Sequence, residues 1–211
     1  MRATLLLIIV GFFVVGCEDP GAKVTSATVE SPAGEQAEPG STVEPGKGLT
    51  SLAIDPSSSK IEFVGAKVTA SHAGGFTDFA GTLELGEPIE KSQIEVTIQT
   101  ASLYADKEKL TKHLKSPDFF DVGKFPTATF RSTEIKKDGD GHVMTGDLTL
   151  HGVTKRISFP VTLDATDADV TASAEFSINR QDYGINYPGM RDDLIRDLVV
   201  IKLSLKLPRQ S

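Results

Sequence analysis

The sequence predicts an all-β domain: an antiparallel barrel of about eight strands with one short helical insertion, behind an export signal and an unstructured tether. Three observations carry that expectation. Apolar and polar residues alternate with a period of two through much of residues 49–211, the mark of strands with one buried and one solvated face. Turn-forming residues fall between these runs where hairpins need them, at Asp138-Gly139-Asp140-Gly141 and His151-Gly152. One stretch, Leu103 to Phe125, breaks the rhythm.

The chain has 211 residues, a net charge of −7, one Cys and no Trp. A single thiol excludes an intrachain disulfide framework and any paired-cysteine redox or zinc motif, and the acidic balance argues against a nucleic-acid partner. Residues 1–16 form the first region. Arg2 precedes an apolar run from Leu5 to Val15, broken only by Gly11 and too short to span a bilayer as a helix, so it reads as an export signal. Its end, Val14-Val15-Gly16-Cys17, resembles the lipobox of bacterial lipoproteins, with Val14 where Leu is commonest. The resemblance implies acylation of Cys17, and two or three acyl chains suffice for lasting anchorage in the cell envelope, with the domain in the periplasm. Glu18, where Asp would signal retention at the inner membrane, favours the outer membrane.

Residues 17–48 are rich in Glu, Pro, Gly, Ser, Thr and Ala, with no aromatic residue. Such a segment cannot bury enough apolar surface to offset the entropy of ordering it, and is expected to be a disordered acidic tether.

Residues 49–211 are long enough for a single continuous core. Ile94, Val96 and Ile98 alternate with polar neighbours, as do Ile157, Phe159, Val161 and Leu163; so do Val170, Ala172, Ala174, Phe176 and Ile178, and Val199, Ile201, Leu203, Leu205 and Leu207. Weaker strands are expected near 61–69, 77–86, 127–135 and 142–150. Within the break, Asp106 is placed to cap a short helix bringing Leu110 and Leu114 to one face, ended by Ser116-Pro117. Its Lys107, Lys109, Lys112 and Lys115 read as a solvated face, diluted by Asp106 and Glu108. Long alternating strands without repeated helices favour an antiparallel barrel, which at this size either fills its interior or holds one elongated ligand.

Motifs for catalysis are missing: there is no nucleophile elbow, zincin motif, dinucleotide fingerprint or P-loop. The best polar constellation is Asn179, Arg180, Asp182 and Tyr183 at a strand end, suited to orienting a head group or to a structural clasp. His72, His113, His142 and His151 share no metal-ligand spacing. No cofactor is expected.

Three segments in order carry a specific resemblance: EKLTKHLKSPDFFDVGKFPTATFRST from Glu108 to Thr133, GDLTLHGVTK from Gly146 to Lys155, and FSINRQDYGI from Phe176 to Ile185. Over about 52–207 the chain resembles the YceI-like family. That resemblance implies an extended, lipocalin-like eight-stranded antiparallel barrel binding a long polyisoprenoid or quinone-like lipid in an apolar tunnel. One departure is Ser57-Ser58-Ser59-Lys60, where many relatives carry a His-Ser pair, although His72 precedes Gly74-Gly75-Phe76 as in one branch. The tunnel wall is then expected to include Phe63, Phe76, Phe79, Phe119, Phe120, Phe130, Phe159, Phe176 and Ile178. A buried methylene is worth about 0.8 kcal/mol, so a polyisoprenoid cannot cross an aqueous gap unaided. The competing expectation is that the same aromatics form a solid core, and that the barrel is a stress-related or partner-binding module without a ligand. Protein partners are not named by any residue pattern.

Overall fold

The computed structural model describes residues 19–30 and 49–209. The expected signal, 1–16, and Cys17 lie outside them. The described residues form fourteen strands: β1 (Thr28–Glu30), β2 (Thr50–Ala53), β3 (Lys60–Ala66), β4 (Ser71–Phe76), β5 (Phe79–Leu85), β6 (Gln93–Gln99), β7 (Leu103–Ala105), β8 (Thr127–Asp138), β9 (Gly141–Leu150), β10 (Val153–Ala165), β11 (Asp169–Asn179), β12 (Gly189–Met190), β13 (Asp193–Leu194) and β14 (Leu198–Pro208). The single α-helix among the described residues, α1, runs Glu108–Leu114.

The main sheet is antiparallel in the order β2-β5-β6-β8-β9-β10-β11-β14-β3-β4-β7. It curls until its ends meet. Strand β4 runs on into β5, and β6 runs on through a 3-10 turn at Thr100–Ser102 into β7; β5 pairs with β6, and β4 with β7. These two bent staves thus lie side by side and close the ring. At the far end β2 completes the wall, pairing with β5 and reaching β14 through the Asp55 amide on the Lys206 carbonyl at 2.9 Å. Of the six strands beyond the eight expected, β4 and β7 arise where bends divide staves, β1 and β2 are added at the wall, and β12–β13 form a separate hairpin, while the all-β barrel class is as the alternation predicts.

Local chemistry explains both agreements and misses. Asp138 pairs with Gly141 across a two-residue turn whose Gly139 has φ +57°, and Leu150 pairs with Val153 across His151 and Gly152, both at positive φ. These turns match the right-handed twist of the strands they join. Strand β4 was invisible to alternation because Gly74 and Gly75 occupy its middle. A methyl group at Gly74 would lie 2.3 Å from the Tyr104 carbonyl oxygen and 2.4 Å from the Phe63 ring, so close approach of neighbours dictates glycine there.

The tether expectation fails over 19–30. Asp19 accepts a hydrogen bond from the Gly21 amide at 2.9 Å to start a 3-10 turn, Pro20–Lys23. The following residues enter a gap in the wall. Strands β10 and β11 pair only from Thr162–Ser173 to Ala165–Val170; beyond that they part, and β1 lies against β10 while Thr25 and Ala27 exchange backbone hydrogen bonds with Ser177. Composition predicts disorder from a shortage of apolar side chains, but edge pairing uses backbone groups, which composition does not register.

The interior is packed solid at one end by Leu52, Ile54, Leu83, Ile135, Val170 and Leu207, all nearly inaccessible. At the other end gather α1, the 115–126 segment, the β3–β4 turn and the 180–197 loop. Packing tolerance differs along the wall. Gly146→Ala places a methyl 2.4 Å from the Phe130 ring and 2.5 Å from the Arg131 carbonyl and is expected to cost about 1–3 kcal/mol. Gly65→Ala, which meets nothing within 4 Å, is expected to stay within about 0.5 kcal/mol of the parent. Urea unfolding of the two variants measures both.

Candidate functional site

The inward faces of the staves do not meet in the half of the barrel nearer α1. They enclose a cavity of about 460 Å³, inside the range of roughly 300–1,000 Å³ usual for small-molecule sites. On β11 its wall runs from Ala172 to Ile178 and on β14 from Val199 to Leu205, each about 20 Å of strand. Small inward residues make the room: Gly65, Ala128, Ala172 and Ala174 stand where larger side chains would fill it. The solid-core expectation holds only for the far end.

Aromatic rings line the cavity in two groups. Phe159 stacks on Phe176 at 4.1 Å between ring centroids and 12° between planes, and Phe130 tilts against Phe159 at 5.5 Å. On the opposite wall Phe76 lies 6.0 Å from Phe63 and edge-on to Phe120 at 5.9 Å. Phe119 belongs to the mouth, where His113, Phe119 and Tyr187 form a triangle with centroids 5.0–5.2 Å apart. Of the nine residues expected on the wall, Phe63, Phe76, Phe119, Phe120, Phe130, Phe159, Phe176 and Ile178 are there. Phe79 is not. It is buried at the start of β5, paired with Ile98, and does not border the cavity.

Helix α1 lies across the mouth with Leu110 and Leu114 turned to the cavity. Its N-cap position is Lys107, not Asp106. Asp106 instead holds the His72 Nδ1 at 3.0 Å, and Thr111 ties the helix back by accepting from the Ala105 amide at 2.9 Å. The β12–β13 hairpin completes the rim. It is fastened to the β3–β4 turn by the Lys67–Asp193 ion pair, by the Thr69 hydroxyl donating to Asp193 at 3.0 Å, and by the Val68 amide on the Leu194 carbonyl at 3.1 Å.

The strand-end constellation resolves into a clasp. Arg180 is buried. Its guanidinium donates to the carbonyls of Arg196 at 3.1 Å, Ile185 at 2.5 Å and Ile195 at 3.4 Å, and to the Asp197 carboxylate at 3.0 Å. Burial pulls its pKa below the ordinary range, with Asp197 partly offsetting this. Asn179 accepts from the Gln181 amide at 2.9 Å and so caps the 3-10 turn Arg180–Tyr183. Tyr183 is fully buried, its hydroxyl without a partner among the described residues, and burial raises its pKa far above 10. Arg180 borders the cavity; Asn179, Asp182 and Tyr183 do not. Among the described residues no three His, Cys, Asp or Glu side chains gather as a metal site needs.

The model of the YceI-like domain matches residues 52–207. The chain belongs to the YceI-like family. It is 40% identical over 125 residues to a UPF0312 protein of Pseudomonas putida strain F1, covering 55% of this chain and 65% of that one. To protein YceI of Escherichia coli O157:H7 it is 48% identical over 93 residues, 44% of this chain and 47% of the other. The matched stretches thus span about half to two thirds of these curated relatives. Among solved structures, Burkholderia cenocepacia BcnA superposes with a TM-score of 0.66 at 24% identity, over 72% of this chain and 98% of that one. A polyisoprenoid binding domain from Saccharophagus degradans superposes with a TM-score of 0.63 at 15% identity, over 77% and 99%. Both share the fold.

Sequence reading of the YceI-like domain missed the small inward residues and the rim. Ala172 and Ala174 were legible as strand positions but not as spacers, and Tyr187 and Met190 sit in a loop without periodicity. Two outcomes test the rim and clasp. Arg180→Leu strips a donor from three carbonyls and is expected to lower unfolding free energy by on the order of 3 kcal/mol, measured in urea. The Lys67 hydrogen bond, helped by Thr69, holds the Asp193 carboxyl below its ordinary 3.8. A depressed carboxylate contributes stability above the unfolded pKa and loses it as pH falls through the folded one. Exchange at the Val68 amide, corrected for intrinsic rate, should therefore accelerate relative to the barrel strands as pH drops below about 4.

Proposed function

We propose that this protein is an exported, lipid-anchored carrier that holds a long isoprenoid chain, of polyisoprenoid or quinone-like type, in the barrel cavity. The observation that carries the reading is the cavity itself: an elongated, aromatic-lined space closed at one end and open at the other, in a fold of this family. The S. degradans neighbour, described as polyisoprenoid-binding, agrees with it. Such a space suits a chain rather than a compact solute, because each methylene withdrawn from water contributes about 0.8 kcal/mol. Polar groups at the mouth, Lys67, His72 and Arg196, stand where a head group would remain hydrated. Arg180, committed to three carbonyls and Asp197, holds the rim rather than the ligand. The role is binding for transport or storage, not catalysis. Acylation at Cys17 keeps the domain in the periplasm at a membrane surface, the outer membrane by preference.

Because the chain contains no Trp, Ala174→Trp both fills the cavity and reports on it. The variant is expected to keep its melting temperature within a few degrees, roughly a 1 kcal/mol change, and to lose at least about tenfold in lipid affinity, 1.4 kcal/mol. Native mass spectrometry of the exported full-length protein, with solvent extraction of bound lipid, measures this. A parent protein that stays free of adduct after incubation with quinones and polyprenyl lipids would overturn the carrier reading.

A further inference from the structure

The two ends of the barrel differ in their surface chemistry. At the closed end, residues 55–60, 86–92, 137–141, 164–169 and 206–209 carry eight carboxylates against five basic side chains; at the mouth, residues 66–71, 106–124, 151–153 and 181–197 carry eight of each sign, the buried Arg180 apart. Apolar exposure follows the same division. Of the five large apolar side chains exposed among the described residues, Met190 at 70%, Leu194 at 50% and Val68 at 43% stand on two adjoining turns of the rim. The Val68–Leu194 backbone hydrogen bond and the Lys67–Ile195 bridge hold those turns together, so the three form one patch beside the opening.

The N-terminal segment ends at the same place. Gly21 packs directly on Leu198, the first residue of β14, which pairs with Asn179 beside the Arg180 clasp. Asp19 is thus fixed on the outer wall at the mouth end. Cys17 is two residues upstream, within about 7 Å of fully extended chain. An acyl anchor on Cys17 would bring a bilayer against this end and not the acidic one.

We infer that the mouth of the barrel rests on a lipid bilayer surface, with the β12–β13 hairpin and the β3–β4 turn dipping Met190, Leu194 and Val68 into the interface. The cavity then opens directly onto the membrane, and a lipid chain enters it without crossing water. Shallow insertion of a few apolar side chains, reinforced by a covalent anchor, is a sufficient pair of signals for stable attachment. The inference rests on the anchored-carrier reading, and the test separates the two.

The full chain purified from bacterial membranes is prepared as Met190→Trp, Leu194→Trp and, at the closed end, Asp140→Trp, each the sole Trp. Vesicles of phosphatidylethanolamine and phosphatidylglycerol with brominated acyl chains are the probe. Blue-shifted emission and quenching at positions 190 and 194, about threefold or more that at 140, is the expected result for residues seated at the acyl boundary. Water-like emission and equal quenching at all three positions overturns the inference. So does a blue shift at 190 and 194 without bromine quenching, which would assign the patch to a second copy or a protein partner. Intact mass of the same preparation reads acylation: an unmodified Cys17 refutes the anchor alone, and the quenching pattern of free protein on the same vesicles still decides the docking.

Discussion

The interior volume of an eight-stave barrel is the constraint on which the rest of the structure depends. Such a barrel encloses a space that side chains can just fill, so the size of the inward residues decides whether a given level is core or cavity. Toward the closed end Leu83, Ile135, Val170 and Leu207 fill it. Toward the mouth Gly65, Ala128, Ala172 and Ala174 leave it open, and the aromatic residues between them become wall. One cross-section therefore supplies the stability and the other the site, in a single continuous sheet.

An open cavity places a demand on its rim, which has less core beneath it than the closed end. Here polar groups do that work. Arg180 gathers three carbonyls of the 185–196 loop under the end of β11, Asp193 binds the hairpin to the β3–β4 turn, and Asp106 and Thr111 fix α1 over the opening. Each is a directional bond to a defined partner, and together with the burial of Phe119, Tyr183 and Ile185 they keep the mouth in shape. That arrangement leaves Met190, Leu194 and Val68 free to face outward, and lets Leu110 and Leu114 face in.

The ordered N-terminal segment changes what a tether does in this protein. A coil running from residue 17 to 48 would let the barrel wander over tens of ångströms from an anchor. With Pro20–Lys23 seated on β14 and β1 paired with β10, an anchor at Cys17, as proposed, would hold the barrel in one orientation. The masking of a wall gap by backbone pairing also seals the place where β10 and β11 diverge.

The sequence by itself determined the all-β class, the long strands β6, β8, β9, β10, β11 and β14, and both tight hairpins, because alternation and turn chemistry are local and leave a direct trace in residue order. Eight of the nine residues it proposed for the wall line the cavity: six are inward positions of strands, while Phe119 and Phe120 come from the segment after α1. The tertiary structure alone decided that Phe79 is buried away from the cavity wall, that Arg180 is a clasp, that Gly74 and Gly75 belong to a strand, and that residues 19–30 are ordered. Each of these depends on what lies across the barrel or beside the backbone: Ile98 paired with Phe79, three carbonyls around a guanidinium, the Phe63 ring over Gly74, an unpaired edge at Ser177. Contacts between residues so far apart in the chain leave no period to read.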